Sequence, residues 1–134
     1  MDRRLCLNCR QPAFSCFCSV LSPLDPKIEF VILIHPLEAR RRIATGRMTH
    51  LMLENSRLLE GHDYSGDARV DEIVNDPARH CVILYPGRLS TDITHFSKDE
   101  RASLFPNDKR LTVFVIDGTW NSARKTAHLS RNLH

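Results

Sequence analysis

The chain has 134 residues, 42% hydrophobic and 26% charged, enough for one domain with a real core and at most a small appendage. The formal net charge is +3, and no run approaches the roughly 18 consecutive apolar residues of a membrane helix. The N-terminus, Met1-Asp2-Arg3-Arg4-Leu5-Cys6, has no apolar signal-peptide core, so a soluble protein of the cytoplasm with no membrane partner is expected.

In chain order, the first feature is Cys6-x-x-Cys9 followed by Cys16-x-Cys18, four cysteines within thirteen residues. Two close pairs, one on each side of a turn, supply four thiolates to one tetrahedral structural Zn²⁺, and Pro12 suits the turn between them. Reduced or redox-active thiols are the alternative. A redox Cys-x-x-Cys usually opens a helix after a strand, though, and no strand precedes this one. A disulfide reading requires an oxidising compartment. The fifth cysteine, Cys81, lies in an apolar strand pattern and is assigned to the core. Residues 22–26, Ser-Pro-Leu-Asp-Pro, form a stiff linker. It divides the chain into a four-cysteine element over 1–26 and an α/β domain over 27–134.

Residues 28–34 are an apolar, β-branched run broken only by Glu29, the pattern of a strand buried on both faces. The run ends at His35-Pro36-Leu37-Glu38, because proline cannot continue a ladder. His35, at the strand's carboxyl end, either binds a ligand or packs there. Residues 45–60 read as an amphipathic helix, with Met48, Leu51, Met52, Leu58 and Leu59 on one stripe and Gly61 as its cap. Arg40, Arg41 and Arg42 precede that helix, and Thr45 and Arg47 lie in its first turn. An Arg-lined loop at a helix start is either an anion site or an ordinary solvated loop. The acidic stretch 61–76 lacks metal-loop spacing and reads as surface, with one short helix around Val70, Ile73 and Val74.

A second buried strand covers 81–85 and stops at Pro86-Gly87, and residues 88–96 read as loop. Ser97 with Glu100 three residues later is a capping box for a short helix that Pro106 ends. A third strand follows over 111–116, then a basic helix over 120–131. Alternating strands and helices predict an α/β fold with a mainly parallel sheet flanked by helices. There is no Gly-x-Gly-x-x-Gly and no Gly-Lys-Ser/Thr phosphate loop. Residues 1–118 balance at 16 basic and 16 acidic side chains, so the excess charge resides in Arg124, Lys125 and Arg131. Fifteen of the 19 basic residues are Arg, which suits bidentate phosphate contacts and permits a nucleic-acid partner. A solvated surface of mixed charge accounts for the same composition.

The third strand stops at Asp117-Gly118-Thr119-Trp120. Ligands of open α/β sheets sit beyond the carboxyl ends of the strands, near helix N-termini, so Asp117 is an acid where a site is expected. Local pattern alone favours a capping role for Asp117 and a core position for Trp120. Asp117-x-Thr119-Trp120 after a buried strand resembles the signature of the DTW-domain proteins. The four cysteines, His35-Pro36-x-Glu38 and Leu84-Tyr85-Pro86 follow that family's order, from Cys6 to Trp120.

The resemblance implies a tRNA-uridine aminocarboxypropyltransferase related to the SPOUT-like, knotted α/β class. Such an enzyme moves the 3-amino-3-carboxypropyl group of S-adenosylmethionine to N3 of a tRNA uridine and releases methylthioadenosine. It implies Asp117 as the group that shares or removes the N3 proton, with Thr119 and Trp120 as its supporting wall. Around the donor it implies His35, Thr45, Arg47, Leu84, Tyr85, Pro86, Gly87 and Asp117. Against RNA phosphates it implies Arg40, Arg41, Arg42, Arg124 and Lys125. The family's chain normally continues well past its Asp-x-Thr-Trp helix, supplying further strands, helices and part of the cofactor pocket, whereas this sequence reaches His134 one helix beyond the motif. The alternatives are an inactive, zinc-stabilised RNA-binding module and a SPOUT-like RNA methyltransferase.

Overall fold

Among the described residues, four parallel strands carry the fold. The computed structural model describes residues 4–134. The strands are β1 (Glu29–Ile34), β2 (Ser56–Glu60), β3 (Arg79–Leu84) and β4 (Arg110–Asp117), and the helices are α1 (Pro36–Ala39), α2 (Thr45–Met52), α3 (Ala68–Val74), α4 (Lys98–Leu104) and α5 (Trp120–Leu129). Strand order is β2-β1-β4-β3, every adjacent pair parallel. The expected α/β class with a parallel sheet flanked by helices is the observed one. β1 and β4 are the two central strands, which is why both read as near-continuous apolar runs.

Register divides the sheet into two faces. Val31 and Leu33 stand beside Phe114 and Ile116, and Ile83 beside Phe114. This face forms the main core with Leu59, Tyr64, Val70, Ile73 and Leu133, so α3 and the final turn, Arg131–Leu133, cover it. Ile32 and Ile34 point the other way, in register with Val115 and Asp117, and α2 packs there through Gly46 against Ile32. Asp117 therefore stands on the α2 face. Glu29, the one interruption of the β1 run, is buried at the opposite end of the strand. Its carboxylate meets Arg79 at 3.0 Å and Thr112 at 3.4 Å.

The expected helix over 45–60 is not what forms. α2 ends at Met52 and β2 begins at Ser56. The Ser56 hydroxyl lies 2.7 Å from the His50 ring and 2.8 Å from the Leu53 carbonyl, which closes the helix end. The linker also captures the next residues. Leu24 donates to Met52 O and accepts from Glu54 N, a parallel bridge that holds 52–54 extended. Leu58 and Leu59 then lie on opposite faces of a strand instead of one stripe of a helix. Gly61 follows this strand, donates to Ile34 O, and leaves room for Tyr64, since a Cβ there would lie 3.0 Å from the Tyr64 ring. Tyr64 is fully buried, with its hydroxyl on Leu59 O and its backbone N–H on the Ser130 hydroxyl.

The other expected elements form within a residue or two of their positions. The capping box of α4 is complete: Glu100 N donates to Ser97 Oγ at 3.2 Å and Ser97 N to Glu100 Oε2 at 2.7 Å. The basic helix stops at Leu129, Ser130 caps it, and Arg131, its last expected residue, opens a separate 3₁₀ turn.

Candidate active site and metal centre

Because the sheet is parallel, its carboxyl ends gather at one edge. His35 follows β1, Asp117 ends β4, and Leu84 ends β3 with Tyr85, Pro86 and Gly87 beyond it. The two central ends are joined by His35 N donating to Asp117 O at 3.0 Å. His35 caps α1 by accepting Leu37 N at Nδ1, and its ring meets that of His62 edge-on at 6.2 Å.

Asp117 is half-buried. Its Oδ2 accepts the backbone N–H of Gly46 at 3.1 Å, in the first turn of α2. Burial holds the carboxyl above the ordinary aspartate value; the Gly46 N–H opposes that rise, Glu38 adds to it and Arg41 subtracts from it. Gly46 has a packing reason to be glycine, since a Cβ there would overlap Asp117 Oδ2 and lie 3.2 Å from its Cγ. Only the bare backbone reaches the carboxylate this closely. Gly46 is a site residue whose only sequence signal is a glycine at the start of a helix, where it weakens the helix and so calls for another reason.

Thr119 is the N-cap of α5, accepting Ser122 N at 3.2 Å. The local reading holds only in part: Asp117 caps α2, through Gly46 N, and not the helix that follows it, and a core position for Trp120 does not hold. Thr119 is the cap, and Trp120 is 72% exposed at the first position of α5. Leu84 is 68% exposed at the end of the neighbouring strand β3, so this edge carries two apolar, uncovered side chains. Thr45 is exposed at the first position of α2. Arg47 is 9% exposed, and its guanidinium donates to Ala39 O, bracing the loop between α1 and α2. Arg40, Arg41 and Arg42 are exposed on that loop, with Arg41 paired to Glu38 at 3.3 Å. Arg124 and Lys125 are exposed on α5, whose buried side is Ala123, Thr126 and Ala127.

The four cysteines converge. All four Sγ atoms lie within 4.8 Å of one another, with Cys6–Cys18 at 3.7 Å and Cys9–Cys16 at 3.6 Å. Tetrahedral Zn²⁺ with Zn–S bonds of about 2.3 Å separates its sulfurs by about 3.8 Å, whereas a disulfide requires about 2.05 Å. The spacing fits a metal and not a disulfide. The chain wraps the cluster as a small hairpin: Cys6 N donates to Gln11 O, Arg10 N donates to Cys6 O, and Arg10 takes a left-handed φ of 61°. Backbone N–H groups of Cys9 and Asn8 pull the Cys6 thiol down to about 6, while burial, then the Cys9 and Cys6 sulfurs, pushes the Cys18 thiol up to about 12. Four such sulfurs ionise together only around a cation. Cys81 lies apart in β3 against Ile73 O, as a core thiol.

A family model described as the DTW domain matches residues 3–134. The chain belongs to the DTW-domain family. This DTW domain is 30% identical over 140 residues to tRNA-uridine aminocarboxypropyltransferase 2 of Drosophila melanogaster, a match covering 98% of this chain and 51% of that protein. It is 28% identical over 123 residues to the Mus musculus protein of the same name, covering 89% of this chain and 39% of the relative. The chain spans about half or less of the length of the curated relatives it matches. No solved structure matches it significantly. Among the described residues no helix is long and apolar enough to cross a membrane.

Proposed function

We propose that this DTW domain transfers the 3-amino-3-carboxypropyl group of S-adenosylmethionine to N3 of a tRNA uridine in the cytoplasm, with Asp117 as general base. The observation that carries the reading is a half-buried carboxylate of raised pKa at the central carboxyl end of a parallel sheet, anchored by one oxygen to Gly46 N. Among the described residues its second oxygen accepts no hydrogen bond, which leaves it to the N3–H. A raised pKa makes Asp117 a better acceptor for that proton, which a free uridine holds until high pH. The donor's sulfonium supplies the leaving group. The N3–carbon bond forms as the carbon–sulfur bond breaks, the bonding pair leaves with sulfur, and the N3 proton goes to Asp117. The chain's remaining work is alignment.

Trp120, three residues after Asp117, and Leu84, at the end of the neighbouring strand, offer exposed apolar surface at this edge against which a base or adenine packs. His35 and the 84–87 segment border the same edge, and the exposed N-terminus of α2 at Thr45 suits the donor's carboxylate. Arg47, braced on Ala39 O, acts there by holding the loop. Zn²⁺ on Cys6, Cys9, Cys16 and Cys18 has a structural role, folding the four-cysteine element over 1–26 against the α/β domain over 27–134. Arg40, Arg41, Arg42, Arg124 and Lys125 meet tRNA phosphates. The exposed Arg loop also favours a second reading, an RNA-binding module without chemistry.

S-adenosylmethionine labelled separately in the methyl and in the carboxypropyl carbons, incubated with unmodified tRNA, separates the readings. Carboxypropyl label in tRNA supports the transferase. Methyl label points to a SPOUT-like methyltransferase, and retained tRNA binding with no transfer points to the binding module.

A further inference from the structure

A wide cleft lies away from Asp117. It has a volume of about 540 Å³ and runs between the four-cysteine hairpin and the loop joining α1 to α2. One wall carries Arg10 and Pro12, the other Arg40, Arg41 and Arg42, with Glu60 at the margin. The two walls are joined, because the buried side chain of Gln11 donates to Arg42 O. Arg47 holds the same loop from beneath through Ala39 O. Both tethers take up carbonyls of the loop and leave its three arginine side chains exposed. Among the described residues, the guanidinium groups of Arg10, Arg40 and Arg42 have no hydrogen-bond or ion-pair partner.

We infer that this cleft is a groove for the phosphodiester backbone of RNA, with Arg10 delivered to it by the metal hairpin. The inference rests on the proposed tRNA reading and deepens it. Four exposed guanidiniums on two tethered walls match successive phosphates by bidentate contact. The volume exceeds that of a single phosphate. The lining holds no aromatic ring, so the groove has nothing on which to stack bases and contacts the backbone irrespective of sequence. Arg41 both lines the cleft and lies within electrostatic reach of Asp117, so backbone held here places a neighbouring nucleotide beside the carboxylate. The metal hairpin thereby acquires a second role. It keeps Arg10 in its left-handed turn, facing the loop, and RNA affinity depends on the four thiolates through that one side chain.

The test is binding of an unmodified tRNA transcript across a salt series by the full, zinc-loaded chain and its variants. Arg10→Asn keeps a residue that tolerates the left-handed turn. Each arginine removed, in Arg10→Asn and in Arg40→Ala/Arg42→Ala, weakens binding about three- to tenfold and flattens the slope of log affinity against log salt by about 0.7–0.9. Glu60→Gln removes the acid at the margin and tightens binding, a change of sign that damage to the fold does not produce. Unchanged affinities and slopes in both Arg variants, with tRNA still bound, overturn the groove and leave the transferase standing. Cleft-dependent binding without carboxypropyl transfer overturns the transferase and leaves the groove. Absence of tRNA binding by the unaltered chain sinks both, and competition by millimolar inorganic phosphate as strong as that by tRNA reduces the groove to a simple anion site.

Discussion

Gly46→Ala is the most discriminating substitution the structure offers. Helix propensity alone makes alanine better than glycine in α2 by up to about 1 kcal/mol. The added Cβ, however, overlaps Asp117 Oδ2 and lies 3.3 Å from Ile32 Cγ2. Ile32 can yield by a few tenths of an ångström, but the carboxylate must rotate away and lose its bond from Gly46 N. A hydrogen bond to a charged group contributes about 1.5–3 kcal/mol. The net expectation is a loss of about 1–2 kcal/mol and a fall in Tm of about 3–8 °C for a chain of this size. In an Asp117→Ala background the obstacle is gone, so Gly46→Ala becomes neutral or stabilising by up to about 1 kcal/mol. Denaturant melts of the four proteins measure the cycle. A stabilising Gly46→Ala in the unaltered chain, or an equal cost in both backgrounds, would falsify the account of Gly46 as the residue that lets α2 reach the carboxylate.

Asp117→Asn retains an acceptor for Gly46 N but cannot take a proton, so carboxypropyl transfer falls by about 10²–10⁴ while tRNA affinity holds; unchanged turnover removes Asp117 from the chemistry. The same variant has a stability signature. The folded-state pKa of Asp117 lies above the unfolded value, so the fold binds that proton more tightly, and its stability falls as pH rises from 3.8 through the raised pKa. Asparagine does not titrate, so the variant's stability relative to the unaltered chain rises over that window and stays level above it; a relative fall between pH 4 and 7 contradicts the burial of the carboxylate. Metal analysis gives about one Zn²⁺ per chain, and Cys9→Ser, which removes the most buried of the four sulfurs, lowers that content and the melting temperature; a metal-free chain of unchanged stability is incompatible with a four-thiolate site. Arg79→Met removes the arginine 3.0 Å from the buried Glu29 carboxylate and leaves it the longer pair to Arg110 at 3.6 Å, which costs about 3 kcal/mol in a denaturant melt; a loss under about 1 kcal/mol shows that Arg110 and water compensate Glu29 without Arg79.

Much of this molecule was legible in one dimension because the features concerned are local. The cysteine spacing, the capping box of α4 and three strands of β-branched run all depend on residues within a turn or two of each other. The carboxyl-end position of Asp117 follows from where its strand stops. β2 was not legible, because Leu58 and Leu59 fit a helical stripe as well as a strand, and what decides between them is the Leu24–Leu53 bridge and the pairing with β1. Glu29 read as an interruption until Arg79, fifty residues later, came to meet it.

Amino-acid order specifies the kind of chain this is: a four-thiolate element, an alternating α/β body and an acid at a strand end. Folding adds that Asp117 faces α2 and not the main core, that Gly46 must be bare, that Trp120 stands in solvent and that Arg10 shares a cleft with Arg40 and Arg42. The division has a physical cause. Backbone propensities and metal spacings act over a few residues, whereas the electrostatics and packing of a site are set by segments that only strand order and register bring together.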